Sequence, residues 1–151
     1  MDVQSLGPLT ITGLKTRTTN VNETNPQTAA IKPLWERFFM LAGQQMAPSD
    51  TFYGIYTHYE SDVNGEYDLI VGSPSLSSSF AEDSVTHEIP QGRYLVFSAS
   101  GEMPQTVITL WQQIWQYFSE ADCPHTRAYT SDFESYVMNE SRVDIAIALK
   151  D

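Results

Sequence analysis

The sequence predicts an α+β fold of two strand–helix–strand–strand halves in tandem, related by a pseudo-twofold axis, with antiparallel sheet, two main helices and a cleft between the halves. Three observations predict it. Two segments, Ile31 to Ala42 and Val107 to Phe118, carry apolar residues at helical spacing. Each follows β-rich sequence and precedes two further β-rich segments. Both contain Leu-Trp at corresponding places, Leu34-Trp35 and Leu110-Trp111, which points to internal duplication. The Ser-rich stretch SPSLSSSFAEDS joins half one, about residues 1–75, to half two, about residues 85–151, and 151 residues suit a single domain.

The elements follow in order. Residues 8–14, PLTITGL, read as a first strand, and the polar run Thr16 to Asn25 reads as a loop or a ragged strand end. Pro26 after Asn25 is a helix-start signal. Ile31, Leu34, Trp35, Phe38, Phe39 and Ala42 then recur at helical spacing, and Pro33 either kinks this helix or marks where its regular part begins. Gly43 and Pro48 stop it. Residues 51–59, TFYGIYTHY, are aromatic and β-branched, as strands prefer. Asn64-Gly65 predicts a hairpin back into 67–72. VTHEIP and RYLVFSAS read as two short strands around Gln91-Gly92. Pro104 opens the second helix, whose stripe is Val107, Leu110, Trp111, Ile114, Trp115 and Phe118, and Asp122-Cys123-Pro124 closes it. Residues 128–138 form a strand. In 142–149 the alternation puts Val143, Ile145, Ile147 and Leu149 toward the core and Asp144, Ala146 and Ala148 away from it. Each helix is expected to cover its own antiparallel sheet, leaving a groove between the halves, a preferred place for small ligands.

Composition narrows the function. Eight basic and nineteen acidic residues give a net charge of −11, which repels nucleic-acid phosphates and anionic lipid headgroups and attracts cations. Aromatic residues reach 12% while charged ones stop at 18%, which argues for a folded core over disorder. The single Cys123 excludes an intramolecular disulfide. His58, His87 and His125 lack metal-ligand spacing and no phosphate-binding glycine loop is present, so neither metal nor cofactor is expected. With no signal peptide or membrane-length apolar run visible, a cytoplasmic location is expected.

Three stretches carry a family resemblance. Ile89-Pro90-Gln91-Gly92-Arg93-Tyr94-Leu95-Val96-Phe97, with Gly101 after it, is similar to an Ile-Pro-x-Gly-x-Tyr-x-Val-Phe strand. Trp111 follows on the second helix. Asp132-Phe133-Glu134-Ser135-Tyr136 then resembles a Phe-Glu-x-Tyr strand ahead of Asp144-Ile145-Ala146-Ile147. Together these resemble the GyrI-like small-molecule-binding domain, the effector-binding domain of AraC-type and MerR-type bacterial regulators. No DNA-binding helix-turn-helix is read ahead of these stretches, so the expectation is a sensing module on its own, and the chain resembles most the stand-alone, integron-cassette members that bind organic cations.

The resemblance implies a function and a site. A lipophilic aromatic cation needs aromatic faces and one carboxylate in a poorly hydrated cleft. Glu134 is the carboxylate that the resemblance assigns. From the residues alone it shares a strand face with Tyr136 and Met138, and small Ala146 and Ala148 on the next strand leave space beside it; a strand glutamate on a solvated face fits the same pattern. The candidate aromatic wall is Tyr56, Trp115, Phe38, Tyr94 and Tyr136, each of which core packing would also explain. Trp35 and Trp111 read as core anchors of their helices. The expected function is non-catalytic sensing or sequestering of a small-molecule lipophilic cation, without direct nucleic-acid binding and with a separate regulatory protein as a possible partner. The alternatives are hydrolysis of reactive electrophiles by the same glutamate, or a protein-interaction role acting on a transcription regulator or gyrase.

Overall fold

A computed structural model describes residues 1–150. The chain runs β1 (Asp2–Leu6), β2 (Leu9–Thr18), α1 (Asn20–Glu23), α2 (Ile31–Ala42), β3 (Thr51–Thr57), β4 (Tyr67–Ser73), β5 (Val85–Ile89), β6 (Gly92–Ser100), α3 (Gln105–Ser119), β7 (Ser131–Val137) and β8 (Arg142–Ala148). The α+β class is as the sequence predicts. The strands form one eight-stranded antiparallel sheet in the order β1-β6-β8-β7-β3-β4-β2-β5, with both long helices on one face. Separate sheets under each helix, the sequence expectation, are replaced by this continuous one.

The strand order reads the same when β1–β4 are exchanged for β5–β8. Half one has one more strand than the sequence reading, β1, which corresponds to β5 of half two, and each leading strand is given to the other half. β1 pairs with β6, and β5 pairs with β2. VTHEIP and RYLVFSAS are therefore consecutive but stand near opposite edges of the sheet. The sheet curls to make this possible. Its two crossing connections, at Gly7-Pro8 and Pro90-Gln91, touch: Gly7 has φ +77°, and a Cβ there would lie 2.7 Å from the Pro90 carbonyl oxygen. The twofold passes between the central strands β3 and β7, where Gly54 and Glu134, each the fourth residue of its strand, pair with each other.

Helix α2 begins at Ile31, five residues after the expected Pro26. Pro33 then occupies the third helical position, where a missing N–H costs little because first-turn N–H groups have no intrahelical acceptor. The helix start is capped from outside. Glu23, at the end of the short α1 that falls inside the expected loop, accepts from the Ala30 and Ile31 N–H groups at 2.9 and 3.1 Å. A carboxylate there also meets the positive end of the helix dipole.

Three apolar cores result. Leu34 and Phe38 of α2 pack on Leu14, Leu69 and Val71. Leu110 and Ile114 of α3 pack on Leu95, Phe97, Val143, Ile145 and Ile147. The third lies in the hollow of the curled sheet, where Ile11, Ile55, Ile70, Tyr94, Phe133, Ala146 and Ala148 meet. No helix among the described residues is long and apolar enough to cross a membrane.

The start of β7 is fixed by a buried ion pair. Asp132 Oδ2 accepts from Arg127 Nη2 at 2.7 Å and from the Tyr59 hydroxyl at 2.6 Å, while Oδ1 accepts the Ala148 N–H at 2.8 Å. The guanidinium also lies 4.4 Å from the Tyr129 ring centroid. Removing one member of a buried pair strands the other charge. Arg127→Met is therefore expected to cost about 3–5 kcal/mol of unfolding free energy, measured by urea denaturation. A loss under about 1 kcal/mol, the range of exposed pairs, would contradict this account.

Candidate functional site: a buried carboxylate on the twofold

On the helix-covered face, α2 lies over β2 and β4, and α3 over β6 and β8. The central pair β3–β7 runs between them as the floor of a trough. Strand alternation sends Phe52, Gly54 and Tyr56 of β3, and Asp132, Glu134 and Tyr136 of β7, up into this trough.

Glu134 is 3% exposed. Its Oε2 accepts from the Tyr56 hydroxyl at 2.7 Å and from Trp111 Nε1 at 2.6 Å; its Oε1 accepts from the Tyr136 hydroxyl at 2.8 Å. All three donors are neutral, and among the described residues Glu134 forms no ion pair. Burial pushes its carboxyl above the usual carboxylate range, and the bonds from Trp111, Tyr56 and Tyr136 act against that rise. The same burial, with the neighbouring negative charge, raises both tyrosine hydroxyls far above their ordinary value, so they stay protonated as donors. Gly54 makes the arrangement possible: a Cβ there would lie 3.0 Å from Glu134 Oε1 and 3.0 Å from Trp35 Cζ2.

Rings close the trough. Tyr136 stacks on Phe52 at 4.8 Å and meets Trp35 edge-on at 5.7 Å. Tyr56 meets Trp111 edge-on at 5.1 Å. Trp35 and Trp111 stand beside Phe39 and Trp115, which are 38% and 42% exposed and form the rim.

The structure brings Glu134, Tyr56 and Tyr136 into one hydrogen-bonded group, with Trp115 at its rim. Phe38 does not join them. It faces Leu14 and Leu69 under α2, where helical spacing places it beside Leu34. Tyr94 is on the opposite face of the sheet, packed on Phe133 with its hydroxyl donating to the Pro90 carbonyl at 2.6 Å. Ala146 and Ala148 are also on that face. Glu134 pairs with Ile145, and directly paired residues share a face, so the alanines leave no space beside the carboxylate. Their smallness serves Tyr94 and Phe133 instead. A cavity of about 290 Å³ on that side, lined by Leu6, Leu9, Tyr53, Phe133, Ser135 and Ala146 among others, is separated from Glu134 by the sheet.

Sequence reasoning missed Trp111 as a donor, and Gly54. The signal for Trp111 was its indole N–H, which when buried seeks an acceptor that a core of aliphatic side chains does not offer. His58 and His87, distant in sequence, come together with rings 5.7 Å apart, and His58 Nδ1 lies 2.7 Å from Asp68 Oδ2.

The profile of Cass2, described as integron-associated effector binding protein, matches residues 3–149. The crystal structure of integron cassette protein VCH_CASS2, from the mobile metagenome of Vibrio cholerae, is 44% identical, superposes with a TM-score of 0.92, and covers 99% of this chain and 95% of that one. YobU of Bacillus subtilis (strain 168), a candidate transcriptional regulator by its description, is 29% identical over 149 residues, 91% of this chain and 90% of its own length. SAV2435, in a structure bound to tetraphenylphosphonium, shares the fold with a TM-score of 0.69 at 20% identity, over 99% of this chain and 93% of that one.

The raised carboxyl of Glu134 has a signed effect on stability. A group whose folded pKa lies above its unfolded value stabilises the fold below the unfolded value and loses that contribution as pH rises through the folded one. Glu134→Gln does not titrate. The stability of the variant minus that of the parent is therefore expected to increase from pH 4 to pH 8 in urea unfolding, and a flat or falling difference would refute the raised value.

Proposed function

The chain belongs to the integron-associated effector-binding family, Cass2, and on that premise we propose that it binds lipophilic aromatic organic cations, with Glu134 as counter-charge, as a non-catalytic sensing or sequestering module. The observation that carries this reading is a buried carboxylate held by neutral donors alone. An ionised carboxylate taken out of water is costly unless a positive charge compensates it. Three hydrogen bonds orient Glu134 and offset part of that cost but do not neutralise it. An arriving cation does, and the surrounding rings add about 0.5–2 kcal/mol for each face it meets. Selection then rests on charge and flat apolar area, with few directional bonds, which favours breadth over a single ligand. SAV2435, a protein of the same fold, is bound to a cation of this class, which supports the reading. Because Glu134 is sealed, one or more of Tyr56, Tyr136 and Trp111 must swing aside as the ligand enters.

Isothermal titration with tetraphenylphosphonium tests it. The parent protein is expected to bind at micromolar concentrations, and Glu134→Gln to weaken binding by about tenfold or more, the equivalent of about 1.4 kcal/mol. Binding by the parent is also expected to weaken as pH falls and the carboxyl takes up a proton, whereas the variant shows no such slope. Equal affinity in parent and variant would remove Glu134 from the function.

A further inference from the structure

The pseudo-twofold does more than relate two halves of a sheet: it passes through the site. Gly54 and Glu134 face each other across it. Around them the rings fall into equivalent pairs. Tyr56 and Tyr136 are the sixth residues of β3 and β7, and each serves one oxygen of the same carboxylate. Trp35 and Trp111 follow the buried Leu34 and Leu110 in α2 and α3. Phe39 and Trp115 come one helical turn later. The geometry repeats with the pairs. Trp35 and Phe39 lie 5.8 Å apart at 23°, and Trp111 and Trp115 lie 6.0 Å apart at 33°. Trp35 meets Tyr136 edge-on at 83°, and Trp111 meets Tyr56 edge-on at 71°.

From this arrangement we infer that the site takes a cation whose positive charge lies at its centre between two aromatic arms, one arm against the Trp35–Phe39 wall and the other against the Trp111–Trp115 wall. The inference rests on the cation reading above and specifies its ligand class. One carboxylate on the axis serves one charge. Two matched walls offer aromatic surface in two directions from it. A cation carrying its only ring at one end leaves a wall empty. The walls are matched without being identical, since Phe52 stacks on Tyr136 where the equivalent position in the other half is Asp132. The two arms need not be the same.

The test is isothermal titration of the full chain with two cations of equal charge. Dibenzyldimethylammonium has two arms and benzyltrimethylammonium has one. The two-armed cation is expected to bind about tenfold tighter or more. Phe39→Ala and Trp115→Ala, which truncate one exposed rim residue each, are both expected to weaken the two-armed cation about three- to tenfold. Each should weaken the one-armed cation by at most about twofold, because it can use the wall left intact. Should either variant fail to show a cooperative melt, Phe39→Leu and Trp115→Leu replace it. If both cations bind equally and Glu134→Gln abolishes both, the two-armed inference falls and the cation reading stands. If one truncation has no effect on the two-armed cation, the inference also falls. If neither cation binds, or if both bind Glu134→Gln as they bind the parent, both readings fall together.

Discussion

An unneutralised carboxylate, buried at the centre of an antiparallel sheet, is the constraint around which the rest of this structure is arranged. Its partner strand must present a glycine at the facing position, or Trp35 and Glu134 cannot share the space. Its oxygens need hydrogen-bond donors, and these come from both halves of the fold and from a helix. The donors are aromatic side chains, which bring apolar bulk and one polar atom in the same residue. The ring-lined trough and the buried charge are thus two aspects of one packing solution.

The same strand solves the problem of a buried acid twice, in opposite ways. Two residues before Glu134, Asp132 is paired with Arg127 and tied to the backbone of β8. That charge is spent on holding the fold. Among the described residues Glu134 receives hydrogen bonds and no cation. An arginine beside Glu134 would give a more conventional interior. The contrast separates the two acids more clearly than burial does, because both are almost completely buried.

Much of this was legible in the sequence, and the rest was hidden for identifiable reasons. Apolar periodicity located α2 and α3, and the duplicated Leu-Trp pointed to the symmetry. Glu134, Tyr56 and Tyr136 came from the resemblance and from strand alternation. Strand β1 was missed because DVQSL has little apolar content and pairs with a segment ninety residues away, which no local pattern reports. The exchange of β1 and β5 between halves is non-local in the same sense. Ala146 and Ala148 were put on the wrong face because alternation fixes which residues share a face within one strand, while register fixes it between strands, and a shift of one residue inverts the answer. Tyr94, a candidate because it follows the Gly92 turn, pairs with Ala148 and so shares the face away from Glu134. Trp111 was read as core because helical spacing reports the buried stripe and does not reveal which member of it meets an acceptor.

The exchanged leading strands have a mechanical meaning. Neither half is a self-contained unit: cut the chain in the Ser-rich join, and β2 loses β5 while β6 loses β1. Each fragment would then expose a strand edge already shaped to receive its mate. The halves are fastened twice, once through the central β3–β7 pair and once through these swapped edges. Any movement that parted the halves at the middle would therefore work against clasps at both ends. The halves are like two leaves joined along their middle and also laced together along their outer borders.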